Sequence, residues 1–228
     1  MSDGPSFLYL HGFASSAASA KARAFVRWGE EHGVTVTALD LRAPSMEALL
    51  LSAILARITE AIDARGGSRS RVCLIGSSLG GLVACRVAEV DPRVSALFLM
   101  APAFQIASRW EARIGLAAWR AWRESGGIEV DDYATGQKAR VHWGFIEELQ
   151  RIDAARGPWP DVRVPTRVVH GTRDDVVDVQ LSREWSRGKR HVQLVEVDDG
   201  HELRASVPRI LGEATEFFRT FLAGSAAT

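Results

Sequence analysis

Val72-Cys73-Leu74-Ile75-Gly76-Ser77-Ser78-Leu79-Gly80-Gly81 is the stretch that decides the fold. Its first four residues are an apolar, partly β-branched run that reads as a short buried strand, and from Leu79 onward the pattern is helical. The join between them fits G-x-S-x-G with Ser78 at the centre. A serine on so tight a strand-to-helix turn needs very small residues two before and two after it, because the chain folds back over them. Gly76 and Gly80 meet that demand, and Gly81 allows close packing of the helix. The start of that helix aims amide donors at the place where negative charge would develop. A glycine-rich turn that merely contains serine would show the same five residues. The strand before it and the helix after it set this one apart. Ser77 is the competing serine, but it stands off-centre between the two glycines.

Outward from this turn the chain alternates. Short apolar runs at 7–10, 34–39, 94–100, 167–170 and 192–197 read as further strands. Most are apolar without interruption, as expected where helices cover both faces of a parallel sheet. Helical patterns lie at about 17–32, 45–65, 79–90, 179–187 and 202–222. The last carries Leu203, Val207, Ile210, Leu211, Ala214, Phe217, Phe218 and Phe221 as one apolar stripe. The alternation predicts an α/β fold with a mostly parallel, doubly wound sheet of about six or seven strands.

The rhythm breaks at 103–160. Five of the seven tryptophans (Trp110, Trp119, Trp122, Trp143 and Trp159) fall there. A helical pattern at about 108–124 ends at Ser125-Gly126-Gly127, and another follows at about 144–155. The expectation is a small helical cap at 103–160 inserted into one core made of 1–102 and 161–228. The tryptophans could line an acyl pocket or form the cap's own core, and both readings stay open. A tail of small residues at 223–228 is expected to fray.

A serine hydroxyl is a poor nucleophile unless a base takes its proton. In folds with this turn the chain order is serine, acid, histidine, so the base is sought downstream of Ser78. His142 falls in the expected cap, His170 ends a strand where it would shape the next turn, and His191 begins a strand at the far edge. His201 instead follows the 192–197 strand across Asp198-Asp199-Gly200, at the carboxyl end where the loops of such sheets gather. The acid should come from a loop after an earlier strand. Ala101-Pro102-Ala103 offers no carboxylate, whereas Gly171-Thr172-Arg173-Asp174-Asp175 offers two. Asp174 is preferred, and Asp175 reads as a cap before Val176-Val177. Asp198 and Asp199 lie too near His201 in sequence to reach its far nitrogen and read as turn residues. After the first strand, His11-Gly12-Phe13 supplies a loop whose Phe13 N–H, with that of Leu79, would form an oxyanion hole. His11 itself reads as a structural hydrogen-bonder. Ser15, Ser16, Ser19 and Lys21 beyond it read as capping and solvated residues that could also meet a polar leaving group.

Composition narrows the function classes. The 228 residues suit a single domain with a modest insertion, and 46% hydrophobic residues supply a sizeable core. Lys+Arg and Asp+Glu are both 28, so no basic excess points to nucleic acid or an anionic membrane. Cys73 and Cys85 read as small buried hydrophobes rather than a disulfide, which fits a cytoplasmic compartment. No positive charge precedes the 7–20 segment, so a signal peptide is not expected despite Ala18-Ser19-Ala20. No apolar stretch approaches the roughly 18 residues that would span a bilayer. No H-E-x-x-H, H-x-H or C-x-x-C spacing indicates a metal, and no glycine loop ends in Lys-Ser or Lys-Thr to hold a nucleotide phosphate.

At four places the chain resembles the small bacterial YqiA-like esterases of the α/β-hydrolase superfamily. These are Leu8-Tyr9-Leu10-His11-Gly12-Phe13-Ala14-Ser15-Ser16 with Ser19 and Lys21 beyond, Ile75-Gly76-Ser77-Ser78-Leu79-Gly80-Gly81, His170-Gly171-x-x-Asp174, and Gly200-His201. The resemblance implies an α/β-hydrolase fold and cofactor-free hydrolysis of small carboxylic esters or acyl thioesters. It implies Ser78 as nucleophile, Asp174 as acid, His201 as base, and Phe13 and Leu79 as oxyanion donors. The chain departs from that group in its longer, tryptophan-rich 103–160 segment. A serine peptidase for short peptides, using Glu129, Asp131 and Asp132 for chain termini, and a non-catalytic binding protein on the same fold are the competing readings.

Overall fold

The strand residues divide their side chains between two cores. Leu8, Leu10, Leu74, Leu97 and Leu99 join one cluster, while Phe7, Tyr9, Cys73, Ile75, Phe98 and Met100 join the other. Alternation across a sheet buried on both faces is the reason these strands read as unbroken apolar runs. The computed structural model describes residues 5–42, 44–65 and 71–223; residues 224–228 of the expected frayed tail lie outside the described residues.

Among the described residues, six strands form one parallel sheet: β1 (Ser6–Leu10), β2 (Val36–Leu39), β3 (Val72–Ser77), β4 (Val94–Met100), β7 (Thr166–Gly171) and β8 (Val192–Val197). Their order is β2-β1-β3-β4-β7-β8. The chain therefore leaves β1 to one side for β2 and returns on its other side as β3. That reversal opens a crevice at the carboxyl ends of β1 and β3, and His11–Phe13 and Ser78 are the residues that follow those two ends.

On one face lie α1 (Ala20–Glu31) and α8 (Val207–Ala223). Ala22, Phe25, Trp28 and Gly29 form the buried stripe of α1, and Ile210, Ala214 and Phe218 that of α8. Trp28 Nε1 donates to Thr215 Oγ1 at 2.9 Å across this pair. Ser19 caps α1 by accepting from the Ala22 amide, which starts the helix at residue 20 rather than 17. The final helix begins at Val207, five residues later than its apolar stripe predicts, because 201–206 forms turns and Leu203 takes φ 54°. On the other face lie α2 (Leu51–Asp63), α3 (Leu79–Ala88) and α7 (Val179–Ser186). Residues 79–87 of α3 are all buried, which marks α3 as the central helix of the fold.

Residues 103–160 add no strand to this sheet. They form α4 (Ile106–Ile114), α5 (Leu116–Ser125), the antiparallel hairpin β5 (Gly127–Asp132) and β6 (Gln137–His142), and α6 (Gly144–Arg156). The single helix expected over 108–124 is two, broken at Gly115 with φ 81° and ψ 155°, a conformation that glycine alone adopts cheaply. The hairpin is a feature that the helical expectation for this segment omits. Its signal is a period-two pattern: Ile128 and Val130 alternate with acids, Ala139 and Val141 with bases. The Asp132 carboxylate accepts from Ala134 N and Thr135 Oγ1 to shape the turn between the strands.

Candidate active site

Ser78 sits at φ 54° and ψ −116°, a backbone conformation costing about 1–3 kcal/mol for a residue with a side chain. The surrounding chain holds it there. Its N–H donates to Met100 O at 2.9 Å, and its carbonyl accepts from Gly81, Leu82 and Ala103 amides at 2.9–3.2 Å. The two flanking glycines are sterically required: a Cβ on Gly76 would stand 2.5 Å from Gly80 O, and one on Gly80 would stand 2.0 Å from Leu10 O. Ser77, by contrast, belongs to β3 and is buried.

Three chain-distant loops meet at Ser78. His201 Nε2 lies 3.0 Å from Ser78 Oγ, and His201 Nδ1 lies 2.8 Å from Asp174 Oδ2. An ionised carboxylate only accepts, so Nδ1 carries the proton and Nε2 is left to accept from the serine hydroxyl. The Asp174 side chain is wholly buried. Burial opposes its ionisation, but hydrogen bonds from His170, His201 and the Val177 amide outweigh that and hold it well below the usual carboxylate range. Asp199 secures the histidine loop, accepting from Gly200 N at 2.8 Å and Ser206 N at 2.9 Å.

Gly12 brings the loop after β1 against this turn; a Cβ there would lie 3.9 Å from Ser78 Oγ. Among the described residues neither the Phe13 nor the Leu79 amide has a hydrogen-bond partner. The Leu79 amide is one of the orphan donors at the start of α3. His11 is buried and spans two loops: Nδ1–H donates to Gly12 O at 2.8 Å, and Nε2 accepts from Leu41 N at 3.0 Å. Burial lowers its proton affinity despite the nearby Asp40, which keeps that bridging tautomer neutral.

Residues 6–218 match the model of an uncharacterised protein family, UPF0227. The chain belongs to that family. No curated protein matches it. Solved structures similar to this UPF0227 chain include the mouse alpha/beta hydrolase domain-containing protein 10 (18% identity, TM-score 0.75, covering 95% of this chain and 90% of that one). Est1E of Butyrivibrio proteoclasticus, solved with ferulic acid bound, is similar at 20% identity and TM-score 0.76, covering 96% and 90%. The Pyrococcus furiosus esterase Pf2001 is similar at 17% identity and TM-score 0.67, covering 96% and 84%. At these identities the likeness establishes a shared α/β-hydrolase fold.

The other candidates of the UPF0227 chain are placed elsewhere. Asp175 is exposed, and the cap of α7 is Asp178, whose carboxylate accepts from Gln180 N. His142 is exposed beside Glu47, and His191 Nε2 meets Val162 O at the amino end of β8. Lys21 Nζ donates to Glu202 O at 3.0 Å, tying α1 to the histidine loop. His170, read from the sequence as a strand-end residue shaping the next turn, has a contact that this reading did not give. It is fully buried and its Nε2 lies 3.1 Å from Asp174 Oδ2. The signals in the sequence were its position four residues before Asp174 and its place in the His170-Gly171-x-x-Asp174 run.

The tryptophans divide. Trp119, Trp122 and Trp143 are buried, pack edge to face on one another and join the core cluster that holds Leu8, Leu74 and Leu97. Trp110 also touches Phe13, at 4.9 Å between ring centroids. Trp159 packs elsewhere, against Phe104. Cys73 and Cys85 are buried free thiols, and burial pushes the Cys73 thiol up to about 12. Among the described residues no acidic, histidine or cysteine cluster is arranged to hold a metal, and no helix is long and apolar enough to cross a membrane.

Proposed function

We propose that this protein is a serine hydrolase that cleaves small carboxylic esters or acyl thioesters through an acyl-enzyme on Ser78. The observation that supports this most is the unbroken path from Ser78 Oγ through His201 to the buried Asp174 carboxylate, at 3.0 and 2.8 Å. In acylation Ser78 Oγ attacks the carbonyl carbon while His201 Nε2 takes the hydroxyl proton. Asp174 stabilises the imidazolium that forms. The Phe13 and Leu79 amides receive the developing oxyanion, each worth about 3–4 kcal/mol in sites of this kind. Collapse of the tetrahedral intermediate expels the alcohol or thiol, which takes the proton from His201. Water then attacks the acyl-enzyme with His201 again as base, releasing the carboxylic acid and restoring the serine.

Residues 103–160 act in this reading as a cap over the carboxyl edge of the sheet, with Trp110 against the oxyanion loop. A small apolar cavity lies beside that loop, bordered by Gly12, Phe13, Leu41, Met46, Leu49 and Leu79. Its volume is about 10 Å³, roughly the room one water needs. The larger surface hollow, bordered by Glu89, Arg156, Asp161 and Arg163, lies at the far end of α3 from Ser78 and plays no part.

The test is a fluorophosphonate probe followed by peptide mass mapping, since such a probe reports an activated serine without assuming a substrate. Labelling at Ser78 is expected in the wild type and absent in Ser78→Ala and His201→Ala. A folded wild type that stays unlabelled would sink the proposal.

A further inference from the structure

Asp174 accepts four hydrogen bonds, the full capacity of a carboxylate. Oδ1 takes the Val176 and Val177 amides at 2.9 and 2.7 Å. Oδ2 takes His201 Nδ1 at 2.8 Å and His170 Nε2 at 3.1 Å. Two imidazoles thus share one oxygen. His170 Nε2 also lies 2.9 Å from Val177 O, and its Nδ1 lies 2.7 Å from Ser182 Oγ. With acceptors alone facing Nε2, that nitrogen bears the proton, and Nδ1 accepts from the Ser182 hydroxyl. Ser182 and His170 are both fully buried.

We propose that His170 is a positioning residue, fixed by Ser182 and Val177, that locks Asp174 in place and sets how strongly its carboxylate holds the His201 proton. The inference rests on the serine-hydrolase reading above. A hydrogen bond donated to Oδ2 draws electron density from the oxygen that faces His201, so the carboxylate stabilises the His201 imidazolium less than it would alone. Removing that donor would strengthen the hold of the Asp174 carboxylate on the imidazolium. Other charged groups that act on Asp174 or His170 include Lys21 of α1, Arg109 of α4 and Glu196 of β8, the last paired with Arg183 of α7, and Asp199 and Glu202 flank His201 in its own loop. None of these is hydrogen-bonded to Asp174 Oδ2, which His170 and His201 share.

The experiment is the rate of fluorophosphonate labelling at Ser78 as a function of pH, for wild type, His170→Phe and His170→Gln. The Phe ring keeps the volume and removes the donor, while Gln can restore an N–H. Loss of the donor should move the acid limb of His170→Phe upward by about half a pH unit or more, and His170→Gln should return it towards the wild-type position. An unmoved limb in labelled His170→Phe, or an equal shift in both variants, would reduce His170 to packing and overturn the proposal. If His170→Phe does not fold, nitrogen NMR of histidine-labelled wild type decides, because His170 found protonated on Nδ1 alone overturns the proposal and on Nε2 supports it. A wild type without labelling would overturn the triad and this role together, whereas with normal wild-type labelling a failure in the variants counts against His170 alone.

Discussion

The loops that carry Ser78, Asp174 and His201 and the 103–160 segment beside them are held by different forces. The loops are fixed by short directed hydrogen bonds: four on the Asp174 carboxylate, two on Asp199, and four on the Ser78 peptide groups. The interior of the segment is packed by aromatic edges on aromatic faces, with Trp122 at 5.1–5.9 Å from Trp110, Trp119 and Trp143, while Arg42, Ser52 and Arg86 tie its rim through Asp132, Glu148 and Asp153. Hydrogen bonds specify angle and distance to within a few tenths of an ångström, as proton transfer requires. Aromatic packing contributes burial energy with a wider tolerance of geometry. Stability and chemical precision therefore reside in different parts of the molecule, and a substitution should disturb one with less effect on the other.

The largest effect expected is on the hydrogen-bonded side. Asp174→Asn should lower kcat by about 10⁴-fold, because an amide no longer enforces the His201 tautomer that Ser78 needs. The same variant has a signature in acid. The folded-state affinity of Asp174 for a proton is depressed, so its contribution to stability is complete above its unfolded pKa of about 3.9 and is lost as the pH falls below that. Urea midpoints followed from pH 6 downward should therefore fall less steeply in Asp174→Asn than in wild type. An equally steep fall would mean that Asp174 is not the site of the linkage.

On the aromatic side Trp122→Ala should cost about 3–5 kcal/mol of stability, read from urea denaturation. The variant removes a buried ring and the bond from Trp122 Nε1 to Val141 O. While the protein remains folded, its fluorophosphonate labelling at Ser78 should persist. A folded but unlabelled Trp122→Ala would break the contrast and show that the aromatic cluster itself positions the site. The smallest effect belongs to Asp175→Ala, one residue from the carboxylate bonded to His201. Asp175 is exposed, so stability should change by no more than about 0.5 kcal/mol. Labelling rates should also stay close to wild type, and a tenfold loss would show that the second carboxylate shares the role given to Asp174.

The sequence by itself determined the features whose physics is local. A turn with Ser78 between Gly76 and Gly80 is readable because its demand is steric and spans five residues. Most of the sheet strands are readable because burial on both faces leaves an apolar run, though the edge strand β8 exposes Gln193 and Glu196, and α8 is readable because one stripe of Leu, Ile and Phe recurs at helical spacing. The placing of His201 and Asp174 in loops after successive strands follows from chain order alone. Other features were encoded but masked: the β5–β6 hairpin lies in a weak alternation between two helical segments, and Gly115 looks no different from a tolerated helix glycine until its φ is known.

Tertiary structure decided what depends on the direction of a side chain across a long stretch of chain. Which of two adjacent aspartates faces His201 is settled by the turn of the peptide between them, and a one-residue difference leaves no trace in composition. His170 reads as a strand-end histidine until β7, α7 and the 174–177 loop fold together and bring Ser182, Val177 and Asp174 around its ring. The tryptophans of 103–160 divide in the same way. Helical spacing shows that they share a face, but only the packed structure shows that Trp119, Trp122 and Trp143 turn inward on each other while Trp110 reaches Phe13. Local sterics and burial are written residue by residue; hydrogen-bond partnership is a property of distances, and those exist only once the chain has closed.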